Sequence, residues 1–141
     1  MKILIMNGPN LNLLGVREPK IYGTTPFETH LASLRTEFPS VEFDYYQSNV
    51  EGFLIDRLQQ AMTDCTDGIV LNAGALTHTS VALLDALRTL NVPVVEVHIS
   101  NVAAREDFRH RSLIAPACAG SISGFGLKSY DLAVRALTEK Q

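Results

Sequence analysis

The chain has 141 residues, 46% of them hydrophobic and 19% charged, with a formal net charge of −3. That composition excludes a disordered tail, a chain of this size buries about two-thirds of its surface on folding without staples, and its acidic balance argues against a nucleic-acid partner, whose phosphates require a basic patch. No apolar run approaches the roughly 18 residues of a membrane span, and the opening stretch turns polar too soon for a signal peptide, so a cytoplasmic protein with no membrane partner is expected.

At roughly 100–200 residues per domain, the length predicts one domain over 1–141. In chain order, Lys2–Asn7 is an apolar run of strand length, and residues 9–25, rich in Gly, Pro and Asn, form one long loop. Thr25 as N-cap, Pro26 in the first turn and Glu28 closing a capping box predict a helix to about Phe38, stopped by Pro39. Val41–Gln47 is a β-rich strand. Ser48 and Glu51 mark a second capping box ahead of a helix through about Asp64. Gly68–Leu71 is a buried strand, and a helix runs from about His78 to Leu90. Pro93–Ile99 is a fourth strand, residues 104–111 carry a short helical turn, and Gly120–Ser123 is a fifth strand. Leu127–Thr138 is a final amphipathic helix.

Strands alternating with helices give a parallel sheet covered on both faces. Five such strands in 141 residues predict a doubly wound, flavodoxin-like α/β fold with three α/β/α layers. Ligands bind such sheets at the carboxyl ends of the strands. The polar clusters fall there: Asn7–Asn12, Gln47–Asn49, Asn72–His78 and His98–Asn101.

The first loop is long for a βα connection, where about two to six residues is usual, and long loops serve as lids over active sites. A lid over residues 11–25 is the expectation, carrying Arg17 and Tyr22 close together. A tyrosine works as a base only when its pKa falls from about 10 toward neutrality, and a fall of three units needs roughly 4 kcal/mol of preference for the phenolate. A guanidinium in a dry pocket supplies that kind of preference. The other reading is a solvated loop whose Tyr22 covers a helix. Glu96, His98 and Ser100 alternate along a strand and share a face. A carboxylate orienting an imidazole is an acid–base device; a satisfied structural pair at a strand end is the alternative. Asn72 ends the third strand and His78 stands at the following helix start, a place suited to anions and neutral hydrogen-bonding groups, with helix capping as the plainer role of Thr77–Ser80. Arg105 and Arg109, i and i+4 on one helical turn, put one guanidinium within reach of a ligand carboxylate or hydroxyl, or form a solvated face. His30 and His110 read as surface residues.

The absences are informative as well. No GxxxxGK[ST] or GxGxxG follows the first strand, and no HxH or HExxH spacing occurs, so neither a nucleotide nor a metal is expected. The two cysteines, Cys65 and Cys118, stand far apart without a CxxC and predict buried, reduced thiols. A non-catalytic module binding a small polyhydroxy acid would use the same Asn, His and Arg groups, but it has no need of the Tyr22–Arg17 pair.

Six stretches in order resemble the type II 3-dehydroquinate dehydratases: Asn7–Gly15; Arg17-Glu18-Pro19 with Ile21-Tyr22-Gly23; Gln47-Ser48-Asn49 with Glu51-Gly52; Gly74-Ala75 with Thr77–Ser80; Glu96–Asn101; and Arg105-Glu106 with Phe108-Arg109. The chain departs from the family pattern at Ala73, Val50, Phe53 and Leu76, none of them a candidate catalytic side chain. The resemblance implies reversible loss of water from 3-dehydroquinate to give 3-dehydroshikimate, in the shikimate or quinate pathway, with no cofactor, no metal and no lysine Schiff base. It implies Tyr22 as the base, Arg17 favouring its phenolate, Asn10 with a bound water stabilising the enolate, His98 as the acid and Glu96 orienting it. It implies Asn72, His78 and Arg109 on substrate hydroxyls, and the backbone N–H groups of Ile99 and Ser100 on the carboxylate. Asp85 is implied to reach a neighbouring subunit's site, in a homo-oligomer of trimers assembling to a dodecamer; its plain reading is an i, i+3 pair with Arg88.

Overall fold

The structure is a computed structural model that describes residues 1–139. Strands β1 (Lys2–Asn7), β2 (Glu42–Gln47), β3 (Gly68–Asn72), β4 (Val94–His98) and β5 (Gly120–Ser123) form one parallel sheet in the order β2-β1-β3-β4-β5. The helices are α1 (Pro19–Tyr22, a single turn), α2 (Phe27–Glu37), α3 (Glu51–Ala61), α4 (Val81–Arg88) and α5 (Lys128–Thr138). This is the flavodoxin-like doubly wound order read from the alternation of elements.

Strand side chains alternate between faces, and the apolar runs therefore feed two cores. Ile3 and Ile5, Val70, and Val95 with Val97 meet α2 through Phe27, Leu31 and Leu34 and α5 through Tyr130, Ala133 and Val134. Leu4 and Met6, Ile69 and Leu71, and Val94 meet α3 through Leu54 and Leu58 and α4 through Leu83 and Leu87. Strands buried on both faces need continuous apolar sequence, which is why β1 and β3 lack alternation.

Several local expectations give way. Neither capping box forms: Pro26 and Val50 occupy the N-cap positions without side-chain caps. Ser48 Oγ instead accepts from the Val50 N–H at 3.0 Å, a local turn that competes with capping. Ser80 does cap α4, accepting from Leu83 N–H at 2.9 Å, but α4 starts at Val81 because Gly74–His78 is a separate 3₁₀ turn. The short helical turn expected within residues 104–111 is the 3₁₀ turn Asp107–Arg109; Arg105 lies outside it, between that turn and another at Val102–Ala104, so Arg105 and Arg109 do not share one turn. His30 is not a surface residue: its Nε2 lies 2.9 Å from Asp131 Oδ2, between α2 and α5. Cys65 is exposed rather than buried. Burial first, and then the nearby Glu96 charge, push the half-buried Cys118 thiol up to about 12.

The strand order reverses between β1 and β3, and the crevice at such a switch point is where these sheets bind ligands. Register places Asn7 beside both Gln47 and Asn72 at the carboxyl edge. The chain leaves β1 through Gly8, where an added Cβ would come within 2.5 Å of the Ala73 carbonyl oxygen. Only glycine lets the two strand exits run this close.

Candidate active site

A cleft of about 470 Å³, open solvent at its mouth included, lies over the carboxyl ends of β1, β3 and β4. Its walls include Asn10, Arg17, Tyr22, Asn72, His78, His98, Ile99, Ser100, Arg105 and Arg109. Three arginines and no carboxylate line it, a charge distribution suited to an anionic ligand.

The first loop is more structured than its composition suggests. Leu11 and Leu14 are buried and tie its start to the core. Asn10 adopts a left-handed backbone, φ 69°, which asparagine tolerates better than most residues. Its N–H donates to Asn49 Oδ1 at 2.9 Å, and Gln47 Nε2 donates to Gly8 O at 3.2 Å and to Asn49 Oδ1 at 3.1 Å. The Gln47–Asn49 cluster thus props the loop rather than lining the cleft. Past Gly15 the chain makes the helical turn of α1, and Gly23, at φ 79°, ends that turn just after Tyr22.

Two guanidinium groups lie against Tyr22. Arg17 Cζ lies 5.0 Å from its ring centroid. Arg105 Nη1 donates to the phenol oxygen at 2.9 Å and to Ser100 Oγ at 3.1 Å. The direct hydrogen bond to the phenol therefore comes from Arg105, a residue 83 positions away, and not from Arg17, which sequence spacing suggested. The sequence signals for Arg105 were its spacing with Arg109 and its place in the Arg105-Glu106 motif, and neither pointed to Tyr22. Arg109 also lines the cleft, its Nε held by Glu106 Oε2 at 2.6 Å.

On β4, Glu96 and His98 share the face predicted by their spacing. Glu96 Oε1 accepts from His98 Nε2 at 2.6 Å. Glu96 Oε2 accepts from Ser112 Oγ at 3.1 Å and Ser121 Oγ at 3.0 Å, partners that no sequence pattern announced. Burial alone would push the Glu96 carboxyl up, but the His98 hydrogen bond and charge, with the two serine hydroxyls, hold it below the usual carboxylate range. The pair is thus a carboxylate with all its partners in place, and His98 Nε2 is committed to it as donor. His78 stacks on His98 with centroids 6.1 Å apart and planes at 18°. His78 Nδ1 lies 2.8 Å from Arg111 O; a carbonyl only accepts, so Nδ1 carries the proton, and Nε2 of the neutral ring is left as an acceptor.

Because the folded carboxyl of Glu96 titrates below its ordinary value of 4.5, its contribution to stability is complete above that value and is lost as pH falls through the lower folded value. Glu96→Gln should cost about 1–3 kcal/mol at neutral pH and flatten the acid limb of stability below about pH 5. Urea melts of both proteins across that range check this.

Nine of the eleven expected site residues line one cleft: Tyr22, His98, Arg17, Asn10, Asn72, His78, Ile99, Ser100 and Arg109. Glu96 lies behind His98. Asp85 lies outside the cleft of its own chain; its side chain is exposed on α4, 3.9 Å from Arg88. No group of three or more His, Cys, Asp or Glu side chains among the described residues could hold a metal, and no described helix is long and apolar enough to cross a membrane.

A doubly wound sheet with an acid–base cleft at its switch point defines an α/β enzyme of flavodoxin-like architecture. The family model for dehydroquinase class II matches residues 1–138. A 3-dehydroquinate dehydratase of Exiguobacterium is 55% identical over 140 residues, covering 99% of this chain and 95% of the relative. One from Caldicellulosiruptor bescii is 51% identical, covering 98% and 97%. The crystal structure of the type II dehydroquinase from Butyrivibrio crossotus superposes with a TM-score of 0.96 at 48% identity, covering 99% of this chain and 98% of that one. The chain belongs to the class II dehydroquinase family.

Proposed function

We propose that this chain is a hydro-lyase that removes water reversibly from 3-dehydroquinate to give 3-dehydroshikimate through an enolate. The observation that carries this reading is the Tyr22 phenol hydrogen-bonded by Arg105 in the same cleft as the His98–Glu96 pair. As phenolate, Tyr22 takes a proton from C2 beside the ketone. The C–H electrons move into the carbonyl, and Asn10, with a water, stabilises the enolate oxygen. His98 then protonates the C1 hydroxyl, the C–O bond breaks with its electrons leaving on water, and the enolate collapses to the conjugated enone. The proton that Tyr22 gained returns through water to His98, which gave one up, so both groups are restored and H and OH leave as one water.

The Arg105 guanidinium stands at the phenol oxygen and the Arg17 guanidinium over the ring, and preorganised charge of this kind acts most strongly in a water-poor site. Asn72, His78 and Arg109 hold substrate hydroxyls, His78 as an acceptor. The backbone N–H groups of Ile99 and Ser100 receive the carboxylate. The chain acts as one catalytic domain whose lid is the segment 11–25.

The protein works as a homo-oligomer, trimers of which assemble to a dodecamer in the cytoplasm, with Asp85 reaching the site of a neighbouring subunit. Asp85 shares the outward side of α4 with Val81, four residues before it and 58% exposed, and Phe53 at the start of α3 is 55% exposed. An exposed apolar side chain on the same side of a helix as a solvent-facing carboxylate suits a contact between copies.

Mixing the protein with 3-dehydroquinate, without added metal or nucleotide, should give a steady rise in the ultraviolet absorbance of the conjugated enone. Folded, assembled protein that binds the substrate and produces no enone overturns the proposal.

A further inference from the structure

Behind the cleft runs a chain of buried side-chain hydrogen bonds that the reaction does not use directly. The Gly74 backbone N–H donates to Asn72 Oδ1 at 3.2 Å. Asn72 Nδ2 donates to the Tyr130 hydroxyl at 2.8 Å. The Tyr130 hydroxyl donates to Asn7 Oδ1 at 2.8 Å, and Asn7 Nδ2 lies 3.4 Å from the Tyr45 hydroxyl. Tyr130 and Asn7 are fully buried, and Asn72 is 3% exposed.

The direction of this chain is forced. A backbone N–H only donates, so Asn72 must turn its oxygen toward Gly74 and its nitrogen toward Tyr130. A tyrosine hydroxyl has one proton. Having accepted from Asn72, Tyr130 must give that proton to Asn7, whose oxygen therefore faces it. Burial pushes the Tyr130 phenol far up, so the proton is always present to be given. Of the two Nδ2 protons of Asn72, one is spent on Tyr130. The other is the only hydrogen-bonding proton of this side chain left for a ligand.

We infer that Tyr130 is a positioning residue that, together with the Gly74 N–H, locks the Asn72 amide so that it offers an N–H, and not a carbonyl, to the substrate. Asn72 thereby selects an acceptor, such as a hydroxyl oxygen, while His78 supplies the complementary acceptor for a hydroxyl proton. The inference rests on the reaction proposed above, with Asn72 as a substrate contact. A group that binds substrate equally in ground and transition states acts on KM and leaves kcat alone.

Tyr130→Phe should therefore raise KM about tenfold while kcat stays within about twofold. Combined with Asn72→Ala, it should add nothing to the KM of Asn72→Ala alone, as expected when one residue acts through another. A tyrosine with a merely structural role would lower Tm and leave KM in place; that result overturns the inference. If Tyr130→Phe does not fold, Asn7→Leu decides: it deprives the Tyr130 proton of its acceptor and should raise KM in the same way, and an unmoved KM overturns the inference. A third arm uses the wild-type protein. In side-chain amide NMR spectra with 3-dehydroshikimate added, one Nδ2 proton of Asn72 should shift and the other should stay; two equal shifts overturn the inference. Wild-type protein that forms no enone refutes the reaction itself, whereas normal wild-type turnover with an unmoved Tyr130→Phe KM refutes only the role of Tyr130.

Discussion

Tyr22→Phe should lower kcat by about 10³-fold, within the range expected when a positioned general base is removed. The ring stays, so its cation–π contacts with Arg17 and Arg105, at 5.0 and 5.4 Å, keep their geometry. What is lost is the oxygen that Arg105 Nη1 holds at 2.9 Å. No other group lining the cleft is a phenol or carboxylate that could replace it. Arg105 keeps Ser100 Oγ as a partner at 3.1 Å, and Tyr22 is only partly buried, so the fold should tolerate the change to within about 1 kcal/mol. Steady-state enone formation, beside a thermal melt, measures both quantities. A variant with near-native kcat removes the phenolate base from the mechanism.

His98→Ala should reduce kcat by about 10²–10⁴-fold through loss of the general acid. Unlike Tyr22→Phe, it should also disturb a buried network. Glu96 Oε1 loses its partner at 2.6 Å and retains only the serine hydroxyls on its other oxygen. A buried carboxylate stripped of a charged partner costs about 1–3 kcal/mol or more. The cost should be smaller at acid pH, where protonation neutralises Glu96. His98→Ala, Glu96→Gln and the double variant separate the two roles. If Glu96 acts only by orienting His98, the double variant should match His98→Ala in kcat, and kinetics of the three proteins at neutral pH provide the test.

How the site could be read from sequence differs residue by residue. Glu96 and His98 were legible because a strand repeats every two residues, so their juxtaposition follows from local geometry alone. Asn72 and His78 were legible because they sit where a parallel strand meets its helix. Arg17 and Tyr22 were legible as neighbours on one loop, but the loop's path was not. Leu11 and Leu14 bury themselves, and a helical turn at Pro19–Tyr22 aims the phenol. The helix-capping patterns at Thr25 and Ser48 misled because local side-chain bonds, such as Ser48 to Val50, compete with caps at little difference in energy.

The apolar runs and their alternation with amphipathic stretches determined the sheet, its layers and the edge at which polar groups collect. Those features depend on periodicity, which is a local property of the chain. The partner of the phenol, the serines that keep Glu96 ionised and the buried line from Gly74 through Tyr130 to Asn7 were decided only by tertiary structure. Each joins residues from elements far apart in sequence. Hydrogen bonds need placement within a few tenths of an ångström, and that precision exists only once the two cores have packed and set the strand ends in register.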